Sequence, residues 1–175
     1  MILQRDEHPA GSTPLPANDN EHPLSETDAI SQSGMASAIA SIAHRRQVDK
    51  LGQPYIDHPA RVAEAFDAIG QPVEHCAAWL HDVIEDTDIT AQDLRDAGIL
   101  PEIVLVVELL TRRDDTSDED YYEGIARHPQ ARAVKLADIA DNSASWRVGR
   151  LDHETQVRLA QKYRKALLAL GEETK

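Results

Sequence analysis

The chain has 175 residues, a formal net charge of −13 and a pI near 4.9, a balance that argues against general binding to nucleic acid or anionic membranes. Its one cysteine, Cys76, excludes an internal disulfide framework and fits a reducing cytoplasm. No stretch is apolar enough to span a membrane and no signal-peptide pattern is present, so a cytoplasmic protein with one hydrophobic core is expected.

Residues 1–33 are rich in Pro, Asn, Asp, Ser and Thr and read as a flexible tail, because such a composition buries little apolar area. A single domain over 34–175 follows. Met35 to Val48 is Ala- and Ile-rich and predicts a helix. Asp49 to His58 holds Gly52 and Pro54 and predicts a loop. Pro59 suits the first turn of a helix running to about Ile69. Gly70-Gln71-Pro72 breaks the chain before a helix reaching Asp86. Thr90 is placed to cap a short helix ending at Ala97. Pro101 opens a helix through Leu110, and Asp114 to Asp120 reads as an acidic loop. Further helices are expected over about Glu119–Ala126, from Pro129 to about Ser145, and from about Asp152 to Leu170. No alternating strand pattern and no internal repeat is present, so the fold class is all-α.

The chemistry concentrates in His81-Asp82-Val83-Ile84-Glu85-Asp86. It follows the apolar run Cys76-Ala77-Ala78-Trp79-Leu80. On a continuous helix at about 100° per residue, His81, Glu85, Asp82 and Asp86 fall within about 140° of arc. Leu80, Val83 and Ile84 take the opposite side. An imidazole and three mutually repelling carboxylates on one face of an apolar helix are costly unless a cation compensates them. A solvated acidic face is the plainer alternative, and the apolar flanks argue against it.

Two other places supply ligands of the same type. His58 stands before Pro59 at a helix start. Asp138 follows the apolar run Val134-Lys135-Leu136-Ala137, with Asn142 one turn further on. His58, His81, Asp82 and Asp138 would give two imidazoles and two carboxylates from three helices. That mixed nitrogen and oxygen set suits Mn²⁺, Fe²⁺ or Zn²⁺ with positions open for water and substrate. Glu85 or Asp86 would then orient the water and accept its proton. Lys50, Arg45, Arg46 and Arg112 are candidates for positive charge near a phosphate. His44 is either a partner of the ligands or a satisfied core histidine.

These residues resemble the HD superfamily of metal phosphohydrolases, and within it the alarmone hydrolases: the hydrolase half of the long Rel/SpoT enzymes and the small hydrolase-only members. The resemblance lies in Ala43-His44, Gly52-Gln53-Pro54-Tyr55-Ile56-Asp57-His58-Pro59, Leu80 to Thr87, and Val134 to Asp138 with Asn142. It implies an HD-domain helical bundle that removes the 3′-pyrophosphate of a (p)ppGpp-like nucleotide with Mn²⁺. It likewise implies His58, His81, Asp82 and Asp138 as metal ligands and Glu85 with Asp86 as the pair handling water. Lys50, Thr111, Arg112, Asn142 and Ser145 match nucleotide-contacting positions, and Arg46, standing where the family has a glycine, is added as a substrate-binding candidate for its charge. The partner is then a small nucleotide, and a homo-oligomer is compatible with the sequence. Asp49 stands where the family carries a base-stacking arginine, and Asp141 where it carries a histidine. The base preference implied is therefore relaxed or shifted, with adenine one candidate. A nucleotide 5′-phosphohydrolase or phosphodiesterase, and a non-catalytic nucleotide-binding protein, are the alternatives.

Overall fold

The computed structural model describes residues 24–172 and, among them, is all-α, with a single isolated β-bridge between Val48 and Pro54. The first helix, α1, is Glu26–Ala43. It begins well before Met35, so residues 26–33 belong to the folded domain and not to the tail; residues 1–23 of the expected tail lie outside the described residues. Ser25 explains the early start, since its hydroxyl accepts the Asp28 amide at 3.2 Å, and Glu26 and Asp28 favour the positive end of the helix. Gln32 adds a tertiary reason. Its buried side chain donates to Gly98 O at 2.9 Å and accepts from Leu100 N at 3.0 Å. Gly98 makes that turn with φ +91°, a backbone region open to glycine at little cost.

Helix α2, Asp57–Ala63, ends short of Ile69. The amides of Ala65 and Phe66 turn back three residues to Val62 O and Ala63 O. Carbonyls at this end also meet His75, whose Nδ1 lies 3.1 Å from both Ala63 O and Phe66 O. The expected continuous helix through Asp86 is instead two: α3, Pro72–Leu80, and α4, Val83–Asp86. His81 causes the break, because its Nδ1 takes Ala78 O at 2.7 Å, the carbonyl the Asp82 amide would use in an unbroken helix.

Helices α5 (Ala91–Asp96, with a Thr90–Asp93 capping box), α6 (Pro101–Leu110), α7 (Asp118–Ala126) and α10 (His153–Ala169) stand close to where the sequence puts them. The helix begun by Pro129 stops at Ser143. Ala144 leaves the helical region at ψ 133°, dividing it into α8 (Pro129–Ser143) and a short α9 (Ser145–Val148).

α3 is the hub, packed against α1, α2, α6 and α8. Small residues at this crossing, Ala36, Ala40, Cys76, Ala77 and Ala78, are fully buried and let the backbones approach closely. Ile103, Val104, Val106 and Val107 of α6 complete the core; each such side chain contributes about 1.5–3 kcal/mol on burial. Cys76 is a core residue, its thiol pushed up to about 12 by burial. The packing of α2, α3 and α8 on one another brings the start of α2 and the end of α3 against the C-terminal half of α8.

Candidate metal centre and its cavity

His58 lies in the first turn of α2, His81 and Asp82 form the turn between α3 and α4, and Asp138 lies on α8. His58 Nε2 and His81 Nε2 are 3.3 Å apart. Asp138 Oδ1 is 3.2 Å from the first and 3.8 Å from the second. These three residues each bring a ligand atom to within 4.8 Å of the others. Asp82 joins from one side, its Oδ2 being 3.0 Å from His81 Nε2 and 3.7 Å from His58 Nε2. Both histidines are 2 % exposed.

The outer contacts fix the direction of each ring. His81 Nδ1 faces Ala78 O, and His58 Nδ1 lies 2.7 Å from Asp141 Oδ2. With Nδ1–H donating to those oxygens, both Nε2 lone pairs point at the common centre, as metal-binding imidazoles are held. Asp141 is itself gripped by Arg61, whose Nε and Nη2 donate at 2.6 and 3.1 Å. Asn142 Nδ2 donates to Asp138 Oδ1 at 2.6 Å, Lys135 Nζ to Asp138 Oδ2 at 2.9 Å, and the Tyr55 hydroxyl to Asp82 Oδ2. Two inward nitrogens and two carboxylates, all buried or half-buried, fit a divalent cation.

The electrostatics agree with that donor set. Burial alone would lower the His81 pKa, but the Asp82 and Asp138 carboxylates outweigh it and hold it at about 9. Burial likewise opposes ionisation of Asp138 and Asp82. Lys135 with the two histidines overrides it at Asp138, and His81 does so at Asp82, leaving both well below the carboxylate range. Asp86 moves the other way, raised by burial and then by the charge of Asp82.

The centre opens into a cavity of about 550 Å³ lined by Lys50, Glu85, Asp86, Arg112, Lys135 and Asn142 among others. The wall includes both carboxylates expected to handle water. Glu85 Oε2 is held by the Arg112 amide at 2.8 Å. A second chamber of about 340 Å³, sharing Lys50, Tyr55 and Asn142 with the first, is lined by Val48, Leu51, Leu151, Leu159, Asp49 and Arg147.

Comparison with known proteins points the same way. No family model matches the chain. It is 33 % identical over 143 residues to the bifunctional (p)ppGpp synthase/hydrolase SpoT of Escherichia coli, covering 77 % of this chain and 20 % of that protein. It is 36 % identical over 104 residues to guanosine-3′,5′-bis(diphosphate) 3′-pyrophosphohydrolase of Vibrio cholerae, covering 59 % and 14 %. A GTP pyrophosphokinase of Streptomyces coelicolor is 32 % identical over 136 residues, 71 % of this chain and 16 % of that one. The chain thus spans a fifth or less of the length of these curated relatives. A solved metazoan SpoT ortholog, described as hydrolysing ppGpp and acting in starvation responses, superposes with a TM-score of 0.65 at 25 % identity. That match covers 79 % of this chain and 85 % of that one. The folded part of this chain is an HD-type, alarmone-hydrolase-like domain.

Within this alarmone-hydrolase-like domain, Lys50, Arg112 and Asn142 line the main cavity, as the resemblance led us to expect. Arg46, Thr111 and Ser145 do not line it. Arg46 is exposed in the turn after α1, Thr111 donates its hydroxyl to Val107 O at 2.8 Å, and Ser145 is exposed at the start of α9. Arg45 also turns back, donating to Ile42 O. Asp49 is committed to its own loop, its Oδ1 accepting Leu51 N and Gln53 N at 2.8 and 2.9 Å and its Oδ2 lying 3.5 Å from Arg147 Nη2. The guanidinium in that chamber comes from Arg147 of α9, which the sequence reading did not single out. His44 is buried, with Nδ1 on Gln47 Oε1 at 2.6 Å and Nε2 unpartnered beside the Tyr55 ring.

Sequence reasoning also missed Asp141, Tyr55, Lys135 and Lys162 as wall or support residues. A signal existed for Asp141: it lies three residues after Asp138, and the one-turn spacing that selects Asn142 selects it equally. Lys162 had none, being one cation on an amphipathic helix without a motif.

Proposed function

We propose that this domain is a metal-dependent hydrolase that removes the 3′-pyrophosphate of an alarmone nucleotide in the cytoplasm. The observation that carries the reading is the convergence of two inward-facing Nε2 atoms with the Asp82 and Asp138 carboxylates at the floor of a cavity whose wall mixes Glu85 and Asp86 with lysine and arginine. His58, His81, Asp82 and Asp138 would hold the cation, which we assign as Mn²⁺. Bound there, it supplies an activated water and neutralises charge on the phosphoryl group.

The chain's own groups divide the remaining work. Asp86, whose raised proton affinity follows from burial and the neighbouring Asp82, accepts the proton of the attacking water. Glu85, pinned by the Arg112 amide, orients that water. Lys135, held protonated as Asp138 outweighs the cost of its burial, faces the cavity as a fixed cation beside the centre. Lys50, Arg112 and Asn142 contact the nucleotide. Leu51, Leu151 and Leu159 give the second chamber the apolar lining a base requires, with Arg147 presenting the guanidinium. Because Asp49 is engaged by two amides at Oδ1 and by Arg147 at Oδ2, discrimination between guanine and adenine rests on Arg147 and the chamber's shape, and adenine nucleotides are accepted beside guanine ones.

The test is product analysis. Purified protein with Mn²⁺ is incubated with ppGpp, pppGpp and their adenosine counterparts, and the products are separated by anion exchange. Pyrophosphate with the matching 5′-phosphorylated nucleoside is expected. Monophosphate release, or no turnover of any of the four, would refute the assignment.

A further inference from the structure

Although the chain carries a net charge of −13, several of its cations line one side of the cavity. Beyond the metal centre lies a third chamber of about 320 Å³, lined by Arg112, Arg158, Lys162 and Lys165 with Gln161, Tyr122 and Ala166; among the described residues Asp118 is its only carboxylate. It shares Arg112, Tyr122, Lys162 and Ala166 with the main cavity, so the two adjoin. Lys162 borders all three chambers.

Arg158, Lys162 and Lys165 stand four and three residues apart on α10, a spacing that puts them on one helical face. Among the described residues none of the three, nor Lys50, has a carboxylate within ion-pair distance, whereas Arg112 is paired with Asp118. Their mutual repulsion is felt at Lys50, whose pKa is lowered by burial and then by Arg158, Lys162 and Arg147. Three cations around this concave surface, Arg158, Lys162 and Lys165, with no carboxylate partner among the described residues of a strongly acidic protein, call for an anion from outside.

We propose that this chamber is a second phosphate subsite, which takes the 5′-phosphate chain of a nucleotide whose 3′ group lies at the metal centre. The inference rests on the hydrolase reading for its substrate class and adds to it the residues that recognise the other end. Lys162, at the junction, meets the phosphates nearest the sugar. Arg158 and Lys165 line only the third chamber and meet the terminal ones, so the subsite favours a 5′-triphosphate over a 5′-diphosphate.

Binding and turnover separate this inference from the one beneath it. Calorimetry with metal-free protein in chelator uses GTP, GDP and guanosine, none of which carries a 3′ group. GTP is expected to bind about tenfold tighter than GDP, equivalent to about 1.4 kcal/mol, and guanosine not measurably; added salt should weaken both nucleotides. In R158A/K165A the GTP preference disappears. Arg164→Ala, an exposed α10 change outside the chamber, leaves it intact. In turnover, R158A/K165A raises KM for pppGpp at least about tenfold, less for ppGpp, and leaves kcat unchanged, because each of the two lost charge-assisted contacts is of that order. Equal GTP and GDP affinities in the wild type, or a preference that survives in R158A/K165A, overturns the subsite. Wild-type protein that binds GTP as stated but turns over no 3′-pyrophosphorylated nucleotide instead overturns the hydrolase reading.

Discussion

Replacing Asp141 with alanine strikes the centre without touching a ligand. Asp141 accepts the His58 Nδ1–H at 2.7 Å and binds Arg61 through both carboxylate oxygens. Its removal leaves a ring proton unpartnered in a side chain that is 2 % exposed. Hydrogen bonds to charged groups contribute about 1.5–3 kcal/mol each, and loss of a histidine's outer partner typically weakens metal binding about 10–100-fold. Arg61 is partly exposed and recovers solvation, so the stability loss is set by His58 and by the nearly buried Arg147, whose Nη1 lies 3.6 Å from Asp141 Oδ2, about 2 kcal/mol on the same scale. For a chain of this size that lowers Tm by roughly 4–8 °C. Asp141→Asn keeps an acceptor oxygen and should lose less on both counts. The assay is Mn²⁺ titration of metal-stripped protein, followed by calorimetry, alongside thermal unfolding of the same samples. Asp141→Ala with wild-type Mn²⁺ affinity would show that the ring of His58 is not oriented for a metal by this contact.

Metal binding should release protons, because His81 is held protonated to about 9 in the metal-free protein, against an ordinary 6.5, by carboxylates that outweigh its burial. Mn²⁺ affinity therefore rises between pH 6.5 and 9, and calorimetry at pH 7 in buffers of different ionisation enthalpy should report proton release; equal heats would contradict it. The same shift gives the metal-free protein stability that is fully present below 6.5 and is lost as pH rises through about 9, so its Tm should fall over that window and fall less with Mn²⁺ present. Tyr55→Phe removes the hydroxyl that donates to Asp82 and should weaken Mn²⁺ binding by about 1 kcal/mol, read by the same titration, with no shift there counting against the contact. Gly98→Ala forces a Cβ into φ +91° and should cost about 1–2 kcal/mol in urea unfolding while leaving kcat and KM unchanged.

What the sequence disclosed follows from cost. Imidazole and carboxylate groups inside Leu80 to Asp86, and an aspartate ending Val134 to Ala137, stand out because burying them uncompensated is expensive, and the structure brings all four expected ligand residues together. Helices with strong local signals were legible for a similar reason: Thr90 with Asp93, Pro101 and Pro129 fix their own starts. The interruption at His81 was not, because it depends on a side chain capturing Ala78 O, which the apolar periodicity does not register. Nor was the early start of α1, set by Gln32 reaching a loop 66 residues away. Thr111 and Ser145 came from motif correspondence alone and Arg46 from its charge alone, and Thr111 satisfies its hydroxyl within its own helix. Asp49, standing where the family carries a base-stacking arginine, organises its own loop, while Arg147 supplies the chamber's guanidinium.

Anomalous diffraction from crystals soaked in Mn²⁺ puts the shared centre to the most direct test. A single strong peak within coordinating distance of His58 Nε2, His81 Nε2, Asp82 and Asp138 is the expected result. No peak there at saturating Mn²⁺, or a peak bound by the acidic surface and not by these four side chains, would contradict it.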